Sequence, residues 1–225
     1  MVVISPHLDD AVFGCGRLLA AHPRSVVITA LAGKPPSYDR VTDWDAAAGF
    51  QPGDDVVGRR YEEDVDALQV LDARPIWLDF LDGQYDAHDR SPLEVALTDA
   101  LEGAILATAL TTAFIPLGLF HPDHALVHAA GLGVMRRRPD LTWFDYEEPI
   151  YRRVPGAIEE RRRALAHGGI IATPIGAPLD HDDRAKRRAV RAYRSQMRAL
   201  VSCWPLDCDD IFAPERYWRL ACALR

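Results

Sequence analysis

The chain has 225 residues, of which 48% are hydrophobic and 26% charged, and its formal net charge is −7. That length suits one domain spanning residues 1–225, and the acidic balance argues against a nucleic-acid binder. No apolar run approaches the roughly 20 residues that a membrane span needs. Met1 leads directly into the strand-like VVIS with no basic or apolar leader, so a cytoplasmic protein is expected.

In chain order, short β-branched runs alternate with helical patterns. VVIS (2–5), SVVITALA (25–32), RPIWLDF (74–80), TAFIPL (112–117) and LTWFDYE (141–147) read as strands. Their near-continuous apolar character suits strands buried on both faces. Residues 10–21, 58–72, 92–109 and 122–137 carry apolar positions at helical spacing. Ser91-Pro92 with Glu94 has the composition of a helix start, and Pro139 stops the helix ending in Arg136-Arg137-Arg138. Further on, 168–176 and 216–223 read as strands and 183–201 as one amphipathic helix. On that helix Ala189, Tyr193, Met197 and Leu200 form the apolar stripe and the arginines a solvated face. Residues 33–56, rich in Pro, Gly and Asp, are expected to be mostly irregular. The alternation predicts an α/β fold with a mostly parallel sheet and helices on both faces. The four cysteines form no CxxC pair, so free thiols are expected rather than a zinc knuckle or disulfide framework.

Two clusters carry chemistry. SPHLDD, with His7, Asp9 and Asp10, directly follows the first strand. Ligands of open α/β sheets bind at the carboxyl ends of strands. A divalent cation there makes adjacent carboxylates and a neutral imidazole compatible. FHPDHALVH, with His121, Asp123, His124 and His128, follows the fourth strand in the same way. Imidazole and carboxylate ligands without thiolate favour zinc or a similar ion with one position open. Bland alternatives exist for each residue. Either aspartate of LDD could simply cap the next helix. His124 and His128 have zincin spacing, but Ala125 stands where that motif needs Glu, so His128 reads as an ordinary helix residue.

PHLDD and HPDH in this order resemble the signatures of the LmbE/PIG-L family of zinc-dependent N-deacetylases. RYEEDVDALQVL (60–71), LDFLDGQY (78–85) and AYRSQM (192–197) are similar to further segments of that family. The resemblance implies a Rossmann-like fold and hydrolysis of the acetamide of an N-acetylated amino sugar or its glycoconjugate. It implies His7, Asp10 and His124 as ligands of one zinc ion per chain, and Asp9 as the general base acting on the metal-bound water. His121, held by Asp123, would stabilise charge or donate a proton as an imidazolium. Arg60 corresponds to a sugar-contacting arginine, with Asp82 and Tyr85 as further substrate residues; an i, i+3 surface pair with Glu63 is the other reading of Arg60. Trp44 and Asp45 could supply a stacking face and a hydroxyl acceptor. Leu119 departs from family members that place a tyrosine near the oxyanion.

Two other reaction classes are weighed. A phosphoesterase would want metal-bridging carboxylates and a second ion. A dinucleotide-dependent oxidoreductase is prompted by Gly14-x-Gly16, although those glycines lie inside a helical pattern and lack a third partner. The partner expected is a small N-acetylated sugar conjugate, with no nucleic acid and no membrane span. The oligomeric state stays open, a homo-oligomer included.

Overall fold

The computed structural model describes residues 1–86, 92–176, 183–203 and 208–223. Seven strands form one sheet: β1 (Val2–Ser5), β2 (Val26–Thr29), β3 (Arg74–Trp77), β4 (Thr112–Pro116), β5 (Thr142–Tyr146), β6 (Ile170–Ile175) and β7 (Tyr217–Cys222). Their order is β3-β2-β1-β4-β5-β7-β6. The run from β3 to β5 is parallel, and β7 inserts antiparallel between β5 and β6. The mostly parallel α/β sheet expected from the alternation is present.

Side chains on adjacent positions of one strand go to opposite faces. Val2, Ile4, Val26, Ile28, Ala113 and Ile115 therefore join one core. Val3, Val27 and Phe114 join the other. The helices are α1 (Asp10–Ala21), α2 (Asp43–Ala48), α3 (Val56–Val70), α4 (Leu93–Thr108), α5 (Pro122–Arg137), α6 (Ala157–His167), α7 (Asp183–Ala192) and α8 (Arg194–Cys203). Leu97 and Leu101 of α4, Val127 and Val134 of α5 and Leu165 of α6 cover the first face. Phe13 and Leu19 of α1, Leu68 of α3 and Val190 of α7 cover the second. After β3 the chain returns to the far side of β1 to form β4, so the β1/β4 boundary is the point where ligand sites of such sheets lie.

Three elements differ from expectation. The stretch 33–56 contains α2, whose first turn is capped by Thr42 Oγ1 accepting from Asp45 N–H at 3.1 Å. Helix α6 was not anticipated, and its polar sequence explains why: Leu165 is its one fully buried residue. The amphipathic stretch 183–201 is two helices, with Tyr193 between them donating its hydroxyl to buried Asp64 at 2.7 Å. Its apolar stripe does face inward, with Ala189, Tyr193 and Leu200 buried. The helix start at Ser91 lies outside the described residues, and Pro92 stands at the N-cap of α4.

Helix α1 is bent at Cys15, whose backbone is non-helical (φ −132°, ψ 16°). The carboxylate of Glu215 accepts from Arg17 N–H and Leu18 N–H at 2.8 and 3.1 Å, satisfying donors beyond the bend. Fully buried Lys186 holds that carboxylate at 2.7 Å and donates to Phe13 C=O at 2.6 Å. The glycines beside the bend are packing glycines. A Cβ on Gly14 would stand 2.5 Å from the ring of Tyr146, and one on Gly16 2.8 Å from Lys186 Cγ. Tyr146 cannot yield, because it is buried and its hydroxyl donates to Ile4 C=O at 2.9 Å. The Gly14-x-Gly16 pair thus has a role in packing α1 against β5 and α7. Gly14→Ala should lower stability by about 1–3 kcal/mol through overpacking, less any gain in helix propensity. Urea unfolding measures this, and an unchanged midpoint would mean that the helix can shift away from Tyr146.

Candidate active site

Pro6 to Asp9 make the turn from β1 into α1, and Leu117 to His121 make the turn from β4 into α5. The second turn uses two left-handed residues, Gly118 (φ 78°) and Phe120 (φ 58°). A side chain at Gly118 would meet His128 Cβ at 2.8 Å, so glycine is needed there. An aromatic residue at positive φ is strained, and Phe120 is 60% exposed, so packing against a core does not hold it there. These turns bring the two sequence clusters together.

Asp10 Oδ2 is the meeting point. It lies 3.1 Å from His7 Nδ1 and 3.3 Å from His124 Nε2. It also accepts from His7 N–H at 2.9 Å. The opposite nitrogen of each imidazole meets a second carboxylate: His7 Nε2 is 2.9 Å from Asp123 Oδ2, and His124 Nδ1 is 3.2 Å from Glu148 Oε1. Burial alone would lower both histidines, but Asp82, Asp10 and Asp123 raise His7 well above its ordinary value. Asp10 and Glu148 likewise bring His124 up to about 9. Burial opposes ionisation of Asp10, yet His124 and His7 hold it well below the usual carboxylate range. Burial and Asp10 push neighbouring Asp9 up to about 8, against the pull of His7, Arg60 and His124.

His7, Asp10 and His124 offer ligand atoms within 4.8 Å of one another, as do His7, His121 and Asp123. The first set fits a metal ion. His124 Nε2 is buried, has no hydrogen-bond partner among the described residues and stands beside the Asp10 carboxylate. The two sets share an imidazole and no carboxylate, so they lack the bridging ligand that a two-metal phosphoesterase centre wants.

His121 departs from the cation expected of it. Its Nδ1 accepts from the backbone N–H of Asp123 at 3.2 Å, which puts its proton on Nε2. Burial, with His7 and His124 close by, lowers it to about 4. Asp123 Oδ2, expected to hold His121, accepts from Gly83 N–H at 2.9 Å and meets His7.

A cavity of about 640 Å³ opens over these groups. His7, Asp9, Asp10, His121 and Asp123 line its floor, with Asp82, Gly83 and Gln84 on its wall. Trp44, Ile150, Tyr151 and Leu200 supply apolar surface. Asp82 is therefore in the cavity, where it also caps a 3-10 turn (Gly83–Tyr85) by accepting from Gln84 N–H at 3.0 Å. Arg60 and Tyr85 stand behind the wall. Arg60 is 3% exposed and donates to Asp45 Oδ1 at 2.6 Å, and Tyr85 donates to Asp45 Oδ2 at 2.8 Å. This buried clasp replaces the surface pair with Glu63, which bonds Ser195 instead. Asp45 is likewise turned to Arg60. Trp44 does line the cavity, its Nε1–H donating to Gln196 Oε1 at 2.8 Å.

Sequence reading missed Tyr151 and Glu148. The ring of Tyr151 packs at 5.0 Å from that of His124 and 6.1 Å from that of His121. Burial pushes its phenol up, so it stays protonated. Glu147-Glu148 after a strand was the available signal, but nothing in its spacing connects it to His124.

These features define an α/β domain with a mixed His/Asp metal-ligand cluster at the sheet's switch point. The family model for GlcNAc-PI de-N-acetylase (PIG-L) matches residues 2–135, more than half of the 225-residue chain, and the chain belongs to that family. It is 29% identical over 191 residues to 2'-N-acetylparomamine deacetylase of Streptomyces fradiae. That match covers 76% of this chain and 64% of the relative, so it spans less than two thirds of the relative's length. A deacetylase triple mutant (Orf2*T) of the teicoplanin biosynthetic pathway superposes with a TM-score of 0.83 at 25% identity, covering 99% of this chain and 98% of that one. A zinc-inhibited form of teicoplanin deacetylase Orf2 has the same fold, with a TM-score of 0.83 at 23% identity over 99% and 98% of the two chains. Among the described residues no helix is long and apolar enough to cross a membrane.

Two predictions follow from burial. Removing one partner of a buried ion pair costs about 3–5 kcal/mol. Arg60→Ala should therefore destabilise the protein by that order, measured by urea unfolding; native stability with only a raised KM would instead make Arg60 a substrate contact. His128 is buried, with Nδ1 donating to Pro116 C=O at 2.7 Å, and burial lowers it from 6.5 to about 3. Asp145, 3.5 Å away, is pushed well up by burial. Because His128 is depressed in the folded state, its contribution is fully present above pH 6.5 and is lost as pH falls toward 3. The slope is at most about 1.4 kcal/mol per pH unit. With chelator present, His128→Asn should show a shallower acid loss than the native chain in urea titrations between neutral and mildly acidic pH. Equal slopes would mean that His128 accepts a proton in the folded state.

Proposed function

We propose that residues 1–225 act as one zinc-dependent N-deacetylase domain that hydrolyses the acetamide of an N-acetylated amino sugar or its glycoconjugate. The reading rests on one observation above all: His7 Nδ1 and His124 Nε2 converge on Asp10 Oδ2, with Asp9 lining the floor of the same cavity. Membership of the PIG-L family and the likeness to 2'-N-acetylparomamine deacetylase support the substrate class. A cavity of about 640 Å³ lined by Trp44 and several polar groups suits a glycoside.

His7, Asp10 and His124 would hold one zinc ion. When bound, it supplies Lewis-acid polarisation of the amide carbonyl and acidifies the attacking water. Asp9 accepts the proton of that water as general base. The same carboxyl then carries the proton to the departing amine, reversing its role from base to acid. His121 works as a neutral imidazole with Nε2–H as donor, since burial keeps it uncharged. Asp123 holds His7 by its free ring nitrogen. Tyr151 provides a protonated phenol in the cavity wall, which stands in for the tyrosine that the Leu119 position lacks. Asp82 faces the substrate, while Arg60 and Tyr85 support the wall through Asp45.

The test is acetate release by zinc-loaded protein across a panel of N-acetylated glycosides, with Asp9→Asn alongside. The native chain should bind about one zinc and release acetate. Asp9→Asn should retain the metal and lose ~10²–10⁴-fold in kcat. Wild-type turnover in Asp9→Asn would reduce Asp9 to a helix residue, and a chain that binds zinc yet releases no acetate from any glycoside would defeat the substrate assignment.

A further inference from the structure

Glu148 follows β5 by two residues, and its side chain is 2% exposed. One of its oxygens, Oε1, accepts three hydrogen bonds at once. Gly118 N–H donates at 2.7 Å and Leu119 N–H at 3.0 Å. The third partner is His124 Nδ1 at 3.2 Å. The two backbone donors are consecutive because Gly118 is left-handed, which turns successive N–H groups toward one anion. The Gly118 carbonyl is taken by Arg161 Nη2. The turn after β4, the carboxylate after β5 and the imidazole on α5 are therefore one hydrogen-bonded unit.

We propose that Glu148 is the positioning residue for His124: it fixes the ring orientation and keeps the proton on Nδ1, so that Nε2 is left free as a metal ligand. This rests on the metal-dependent reading above. A buried imidazole whose Nδ1 is tied to a carboxylate can present only Nε2 to the Asp10 side. Among the described residues that nitrogen has no hydrogen-bond partner. Glu148 occupies toward His124 the place that Asp123 occupies toward His7, where Nε2 is tied and Nδ1 faces Asp10. Ligand histidines held by an outer carboxylate bind metal more tightly, because the ring is oriented in advance and made more basic. The carboxylate follows β5 while its histidine lies on α5 after β4, so the metal site depends on the β4/β5 register as well as on the two motifs.

A purely structural Glu148 would only brace the turn, and Glu148→Gln separates the two roles. Its amide oxygen can still accept from Gly118 and Leu119, but the negative charge beside His124 is gone. Chelator competition should give a zinc dissociation constant about 10–100-fold weaker than the native value. Glu148→Ala should be weaker still. Independently of any variant, long-range ¹⁵N–¹H NMR of the zinc-loaded native chain should find the His124 proton on Nδ1. Native zinc affinity in a folded Glu148→Gln variant, or a proton on Nε2 of His124 in the metal-loaded native chain, would overturn the assignment. In either case the deacetylase reading would stand if the native chain binds zinc and releases acetate. A native chain with no zinc affinity would sink both.

Discussion

Asp10 Oδ2 stands within 3.3 Å of one nitrogen on each of two imidazoles, and the other nitrogen of each meets a further carboxylate. Asp9, Asp10, Asp123 and Glu148 are all buried at this rim. Carboxylates gathered out of water need compensating positive charge or they take up protons. The directions of the shifts follow that rule. Asp9, which has no imidazole tied to it, is pushed up, while Asp10 is held down by His7 and His124. Those histidines are raised in turn. A divalent cation meets the same demand at a single point and frees both rings from carrying the charge.

Such a rim needs rigid support, because a few tenths of an ångström decide whether these groups converge. The support is polar and buried, away from the cavity. Glu215, held by Lys186, accepts the backbone donors past the bend in α1, and so sets the line of the helix that carries Asp10. Tyr146 fills the space over Gly14 and bonds the carbonyl of Ile4 in β1. Arg60, Asp45 and Tyr85 tie α3 to α2 and to the turn that presents Asp82. Buried ion pairs of this kind add little net stability compared with apolar packing, and their effect is to permit one arrangement rather than several.

How much of this was legible in the sequence follows from how each contact is encoded. The sheet was legible because strands buried on both faces must be continuously apolar. His7, Asp10 and His124 were legible because each sits within a few residues of a strand end, where a short turn leaves little freedom. Glu148 was not: its partner is 24 residues away, and the contact exists only through the β4/β5 pairing. Tyr151 was lost for the same reason. The surface-pair reading of Arg60, one of its two, fails because Glu63 is claimed by Ser195 across 132 residues. Helix α2 has six residues and no room for a periodic pattern.

The part hardest to read is also the part that decides which molecule enters. The floor of the cavity comes from two motifs, whereas its walls come from α2, the turn after β3, the segment after β5 and α8. Trp44 is held in position by Gln196 on α8, which accepts its indole N–H, and by apolar packing. α2 and α8 pack against each other, so a change in either element moves the wall without touching the metal-ligand cluster. Chemistry held by short-range spacing and recognition held by long-range packing can therefore vary separately. A relative sharing the motifs can keep the ligand cluster while its walls admit a different molecule, and the residues to compare are Trp44, Gln84, Ile150, Gln196 and Leu200.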